Sequence, residues 1–105
     1  MVVFNLDDII RKMVEEANRK YGTVCITAIV DVASGRIKGY DIGVGACPLI
    51  HVRRGEDLIW IYKSPTETLT EERIKEEIRR QLEDIRSSEP RYYAPYPRYM
   101  YKRKI

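Results

Sequence analysis

Side-chain amides are scarce in this sequence: Asn5, Asn18 and Gln81 are the only three in 105 residues, against nineteen Lys plus Arg and sixteen Asp plus Glu. Few heat-labile residues beside many ions is the composition of proteins from very hot environments, where ion-pair networks gain value. A hyperthermophilic source is the expectation. No apolar run approaches the roughly 18 residues of a spanning helix, which argues against a membrane partner. The opening MVVFNLDDIIRK lacks a basic leader, a long apolar stretch and a small-residue cleavage site, pointing to the cytoplasm. The two cysteines, Cys25 and Cys47, allow one bridge, and their spacing fits no metal-binding template. Two buried thiols are the expected state. A bridge is the alternative, because intracellular proteins of hyperthermophiles are an exception to the rule of reduced cytosolic thiols.

What is present describes one soluble domain: 44% of the residues are hydrophobic and 33% charged, enough for a single modest core. The net charge of +3 is unevenly placed. Residues 1–88 carry fourteen basic and fifteen acidic groups, whereas residues 89–105 carry five basic and one acidic. The positive excess therefore belongs to an appendage on a nearly neutral body.

Along the chain, NLDDIIRKMVEEANRKYG predicts a first helix. Asn5 caps it with Asp8 three positions on, and Ile9, Ile10, Met13, Val14, Ala17 and Tyr21 share an apolar face before Gly22 stops it. TVCITAIVDVASGRIKGYDIGVGAC predicts a β-hairpin whose register follows from its turn. A three-residue turn, Ala33-Ser34-Gly35, with a left-handed Gly35, pairs Val24 with Val44, Ile26 with Ile42 and Ala28 with Tyr40, which makes one face continuously apolar. Thr27, Asp31, Gly39, Asp41 and Gly43 then share the other face, expected to be the wet side of the sheet, with a binding surface as the alternative.

PLIHVRRGEDLIWIYKSP predicts a second hairpin turning at residues 54–57, its second strand central or covered on both faces. A second helix follows to about Arg86, starting at Ser64 or at Thr70, with Leu69, Ile74, Ile78, Leu82 and Ile85 as an apolar stripe. Glu71 with Lys75 and Glu76 with Arg80 are its expected ion pairs. The fold class is α+β: a two-layer sandwich of helix, antiparallel sheet of three to four strands and helix over residues 1–88, with an extended aromatic-basic arm over residues 89–105.

The element order is shared with double-stranded-RNA-binding domains. Those domains dock phosphate at the start of the second helix, where this chain has Thr70-Glu71-Glu72-Arg73, and the acids there exclude that family. The opening LDDIIRKMVEEANRKYGTVCITAIVDVASGRI resembles, in architecture only, the roadblock type of small dimerising scaffold. The helix expected between its second and third strands is missing.

Catalytic constellations are weak. His51 stands alone, and a Cys–His pair needs an activated thiol. Asp31 and Asp41 face the same way but lack a third ligand for a metal. Glycines 39, 43 and 45 lie inside a strand, where no phosphate loop forms. The expectation is a non-enzymatic protein with no catalytic residues, metal or cofactor.

The closing RYYAPYPRYMYKRKI is the strongest signal. Tyr92, Tyr93, Tyr96, Tyr99 and Tyr101 interleave with Arg91, Arg98, Lys102, Arg103 and Lys104, while Pro95 and Pro97 favour extended backbone. Rings stack on unpaired bases and cations neutralise phosphate, so the arm suits nucleic acid read with low sequence specificity. The alternative is a structural or assembly protein, a homo-oligomer whose arm packs on its own body or on a partner subunit. A homodimer is the expected particle.

Overall fold

The structure, a computed structural model, describes residues 6–87. Its elements are α1 (Leu6–Asn18), β1 (Val24–Asp31), β2 (Ile37–Val44), β3 (Glu56–Lys63) and α2 (Glu71–Ser87). This is the predicted α+β order with three strands. None of the described helices is long and apolar enough to cross a membrane.

The apolar spacing of α1 buries Ile10, Met13 and Ala17 completely and leaves Ile9 and Val14 at the margin of the core. The helix ends at Asn18, before Tyr21, which is 92% exposed and so leaves the predicted apolar face. The capping residue Asn5 lies outside the described residues. For α2 the two candidate starts are resolved in favour of Thr70, whose hydroxyl accepts the amide of Arg73 at 3.2 Å. Ser64 opens a separate turn in which the Glu67 carboxylate accepts the Ser64 amide at 3.0 Å. On α2, Glu76 pairs at i,i+3 with Arg79 and not with Arg80 as expected, and Arg80 pairs with Glu77.

The β1–β2 hairpin has the predicted register, with Val24 opposite Val44, Ile26 opposite Ile42 and Ala28 opposite Tyr40. Gly35 supplies the left-handed residue, φ +78°, and a bulge absorbs the extra residue near Val30. The helices cover the face bearing Val24, Ile26, Ala28, Val30, Ile59 and Ile61, all at most 1% exposed, and the core continues through Leu69, Ile74, Ile78 and Leu82.

The second predicted hairpin does not form. β3 pairs antiparallel with β1, giving the strand order β2-β1-β3, so the central strand is β1 and β3 is an edge. Because β2 and β3 both run antiparallel to β1, they are parallel to each other, and the chain between them must travel back about 26 Å, the length of an eight-residue strand. Residues 45–55 make that journey as a strap laid along the face of β1 opposite the helices. The Gly45 amide bonds the Thr23 carbonyl (2.8 Å), Cys47 forms a disulfide with Cys25, the Thr27 hydroxyl donates to the Pro48 carbonyl (3.0 Å), and the Val32 amide donates to the Gly55 carbonyl (2.9 Å). Pro48, Ile50 and Val52 are half-buried while Leu49, His51 and Arg53 are exposed. The strand-like alternation in the sequence is real, but its inward residues meet a sheet face instead of a neighbouring strand.

The strap corrects the expectation of a wet polar face in part, since Asp41 stays exposed while the centre is covered. Thr27 is fully buried beneath it, and Leu58, opposite Ile29 on the same face, is equally closed from solvent. Gly43 serves the chain's own backbone: a Cβ there would lie 2.3 Å from the Ala46 carbonyl oxygen and 3.1 Å from Pro48. The expected free thiols are likewise corrected, since Cys25 and Cys47 are bonded to each other.

Candidate nucleic-acid interface

The predicted arm residues, Arg91, Tyr92, Tyr93, Tyr96, Arg98, Tyr99, Tyr101, Lys102, Arg103 and Lys104, lie outside the described residues. The structure does define the surface from which the arm departs. The last turn of α2 is pinned to the β1–β2 turn by Arg86, whose Nε and Nη2 donate to the Val32 carbonyl at 2.9 and 2.7 Å, and whose Nη2 also reaches the Ala33 carbonyl at 3.1 Å. The described chain therefore ends, at Ser87, near the hairpin tip.

Basic side chains from three separate segments gather at that end. Arg36 leaves the turn exposed. The bond from Val32 to Gly55 brings the end of the strap against the same turn, and with it exposed Arg53 and Arg54. The nearby acids are engaged by the fold. Asp31 accepts the Ser34 hydroxyl at 2.7 Å and the Ser34 amide at 3.0 Å, bonds that hold its carboxyl below the usual range, with Lys38 and Arg36 adding to the effect. Glu56, whose side chain is only 8% exposed, takes the Lys38 ammonium at 2.7 Å and the Arg53 amide at 2.7 Å, and its carboxyl is likewise held low, the Lys38 bond first. An open hollow of about 460 Å³ is lined by Asp31, Ser34, Arg36, Ile37 and Lys38. With Lys38 held by Glu56 and Asp31 occupied in shaping the turn, Arg36 is the lining cation placed to meet an anion.

A second hollow, of about 270 Å³, lies where β3 meets α2, lined by Trp60, Tyr62, Arg73, Glu77, Arg80 and Gln81. Its guanidinium groups are matched by carboxylates: Arg73 with Glu67 at 2.6 Å and Arg80 with Glu77 at 2.7 Å. The Tyr62 hydroxyl donates to Cys47 Sγ at 3.4 Å, so this hollow borders the disulfide. The aromatic rings here offer stacking surface, but local charge favours no anion.

The enzymatic alternatives lose their geometry. Asp41 sits opposite Thr27, four residues along β1 from Asp31, a separation of about 14 Å that no single ion bridges. Asp41 Oδ1 instead accepts the Ile42 amide at 2.9 Å. The disulfide removes both candidate thiolates from the neighbourhood of His51, which is exposed on the strap. Among the described residues no group of three or more His, Cys, Asp or Glu is placed to hold a metal ion.

No family model, curated protein or solved structure matches the chain. The Arg53-Arg54 pair is visible in the sequence, whereas its proximity to Arg36 and Arg86 is not. That proximity depends on β3 pairing with β1, a choice the local pattern does not encode.

Proposed function

We propose that this is a non-enzymatic nucleic-acid-binding protein that uses its C-terminal arm with low sequence specificity. The observation that supports the reading is the convergence of exposed Arg36, Arg53 and Arg54 at the end from which the chain continues beyond Ser87. The arm's own basic groups, Arg91, Arg98, Lys102, Arg103 and Lys104, then extend an existing cationic surface, and its tyrosines supply stacking partners for unpaired bases. Phosphate contacts of this kind fix position without reading sequence.

Fluorescence anisotropy of labelled single- and double-stranded oligonucleotides against the full chain, across a salt series, tests the reading. If all five arm cations meet phosphates of a single strand, the logarithm of affinity falls with the logarithm of salt at a slope of about −3.5. Changing those five residues to Gln flattens that slope, and Arg53→Gln with Arg54→Gln flattens it further. Absence of binding at low salt, or binding indifferent to all these changes, refutes it. The second reading, an assembly protein, is favoured by a different observation, the outer edge of β2, which no other described strand covers.

A further inference from the structure

The two edges of the sheet are finished differently. On β3 the outward backbone groups of Trp60 are taken by the Gln81 side chain: the Trp60 amide donates to Oε1 at 3.2 Å, and Nε2 donates to the Trp60 carbonyl at 2.7 Å. That amide mimics one rung of a neighbouring strand and caps the edge at Trp60. On the opposite side, β2 has β1 as its sole strand partner among the described residues. β2 is eight residues long, contains no proline, and its bulge lies at its beginning, so Tyr40–Val44 is a regular edge that no other described strand covers. Beside it stands an apolar patch: Val44 is 53% exposed, Tyr21 is 92% exposed, and a Cβ on Gly22 would lie 3.5 Å from Val44 Cγ1. The outward Ile42 amide is held by its neighbour's carboxylate, Asp41 Oδ1, at 2.9 Å, a local bond that a pairing strand replaces with its own carbonyl. A regular edge strand flanked by exposed apolar groups is a template for strand addition.

We propose that two copies of the chain pair antiparallel along their β2 edges, making one continuous six-stranded sheet with Ile42 on the two-fold axis. This surface is distinct from the arm and requires no nucleic acid, so it stands or falls separately from the nucleic-acid reading. The edge sequence selects the partner and the register. With Ile42 at the axis, Val44 meets Tyr40 of the partner subunit and Asp41 meets the partner's Gly43. Every apolar group then faces an apolar group, and no charge faces its like. Sliding the pairing so that Asp41 lies on the axis sets two carboxylates opposite each other, which opposes that register. The isologous arrangement closes on itself, so it yields a dimer and not a fibre. An edge-to-edge contact of this length buries less than the ~1,200 Å² of a standard interface, which makes the dimer reversible, with a dissociation constant on the order of micromolar.

Sedimentation velocity on the full chain over a wide concentration range is the test, with Val44→Lys and Val44→Ile as variants. The wild type and Val44→Ile pass from 12.4 kDa to twice that mass as concentration rises. Val44→Lys, which would bury an ammonium against the partner's Tyr40, raises the dissociation constant roughly tenfold or more. Because Val44 is exposed, a circular dichroism melt of Val44→Lys should match the wild type, which separates dimer loss from unfolding. A monomer at every concentration, or a dimer unmoved by Val44→Lys, overturns the proposal. So does a dimer lost only when Tyr92, Tyr93, Tyr96, Tyr99 and Tyr101 are changed to Ser, because the arm would then be the contact. Oligonucleotide binding by the monomeric variant leaves the nucleic-acid reading intact whichever way the dimer test falls.

Discussion

On one face of the sheet, Val24, Ile26, Ala28, Val30, Ile59 and Ile61 are sealed by α1 and α2 chiefly through apolar packing. On the other, an irregular strap covers β1 and is fastened at named points: the Cys25–Cys47 bond, the Thr27 hydroxyl on Pro48, and the close approach of Ala46 and Pro48 over Gly43. The first closure is distributed over many contacts and tolerates conservative change. The second depends on a few directional links, each of which fails outright when removed.

The comparison is broken most forcefully from the helix side. Ile26→Ala removes a fully buried side chain at the centre of β1 and costs about 2–5 kcal/mol, read as a lowered denaturant midpoint with an unchanged slope. A smaller but comparable loss is expected on the strap side. Replacing Cys25 and Cys47 together with Ser opens a loop of sequence separation 22 and costs about 3 kcal/mol, measured against the oxidised wild type. Amide exchange in that variant should quicken in residues 45–55 and in β1 before it quickens in α1. If both variants loosen the molecule uniformly, the two faces are not separate closures.

Titration sharpens the same contrast with the smallest effect. Tyr40, under α1, is pushed up to about 12 by burial and then by its bond to Glu16, so the neutral ring favours the fold. Its contribution is complete below pH 10 and is lost as pH rises through about 12; Tyr40→Phe should flatten that window. Asp31 and Glu56, which shape the hairpin tip and the end of the strap, are held below 3.8 and 4.5. Their contributions are complete above those values and are lost as pH falls below them. Thermal midpoints taken from pH 2 to 12 should therefore decline at both ends, the alkaline limb answering to Tyr40 and the acid limb to Asp31 and Glu56.

Much of the helix side was legible in the sequence because its causes are local. The spacing of Ile10, Met13 and Ala17 defines a buried stripe, and the need for left-handed backbone at Gly35 dictates which residues of β1 and β2 meet. The strap side was not legible. Residues 48–53 alternate as a strand does, and nothing nearby reveals that β1 has already given its second edge to β3. The disulfide, the Thr27 bond and the need for Gly43 all follow from that distant pairing. The candidate site divides in the same way: the arm's chemistry is written in consecutive residues, whereas the cluster of Arg36, Arg53, Arg54 and Arg86 exists only once the strap is in place.

The two described amides share an unusual duty. Asn18 bonds both the amide and the carbonyl of Leu69, at 2.9 and 3.1 Å, just as Gln81 bonds both those of Trp60. Only an amide side chain offers a donor and an acceptor side by side in this way. Hydrolysis of either to an acid would turn its donor into a second acceptor facing a carbonyl, so these clamps are where chemical ageing would loosen the molecule. Holding each amide in a fixed bonded geometry slows its own decay. A chain that keeps so few amides thus places two of them where the fold protects them and where their loss would be felt.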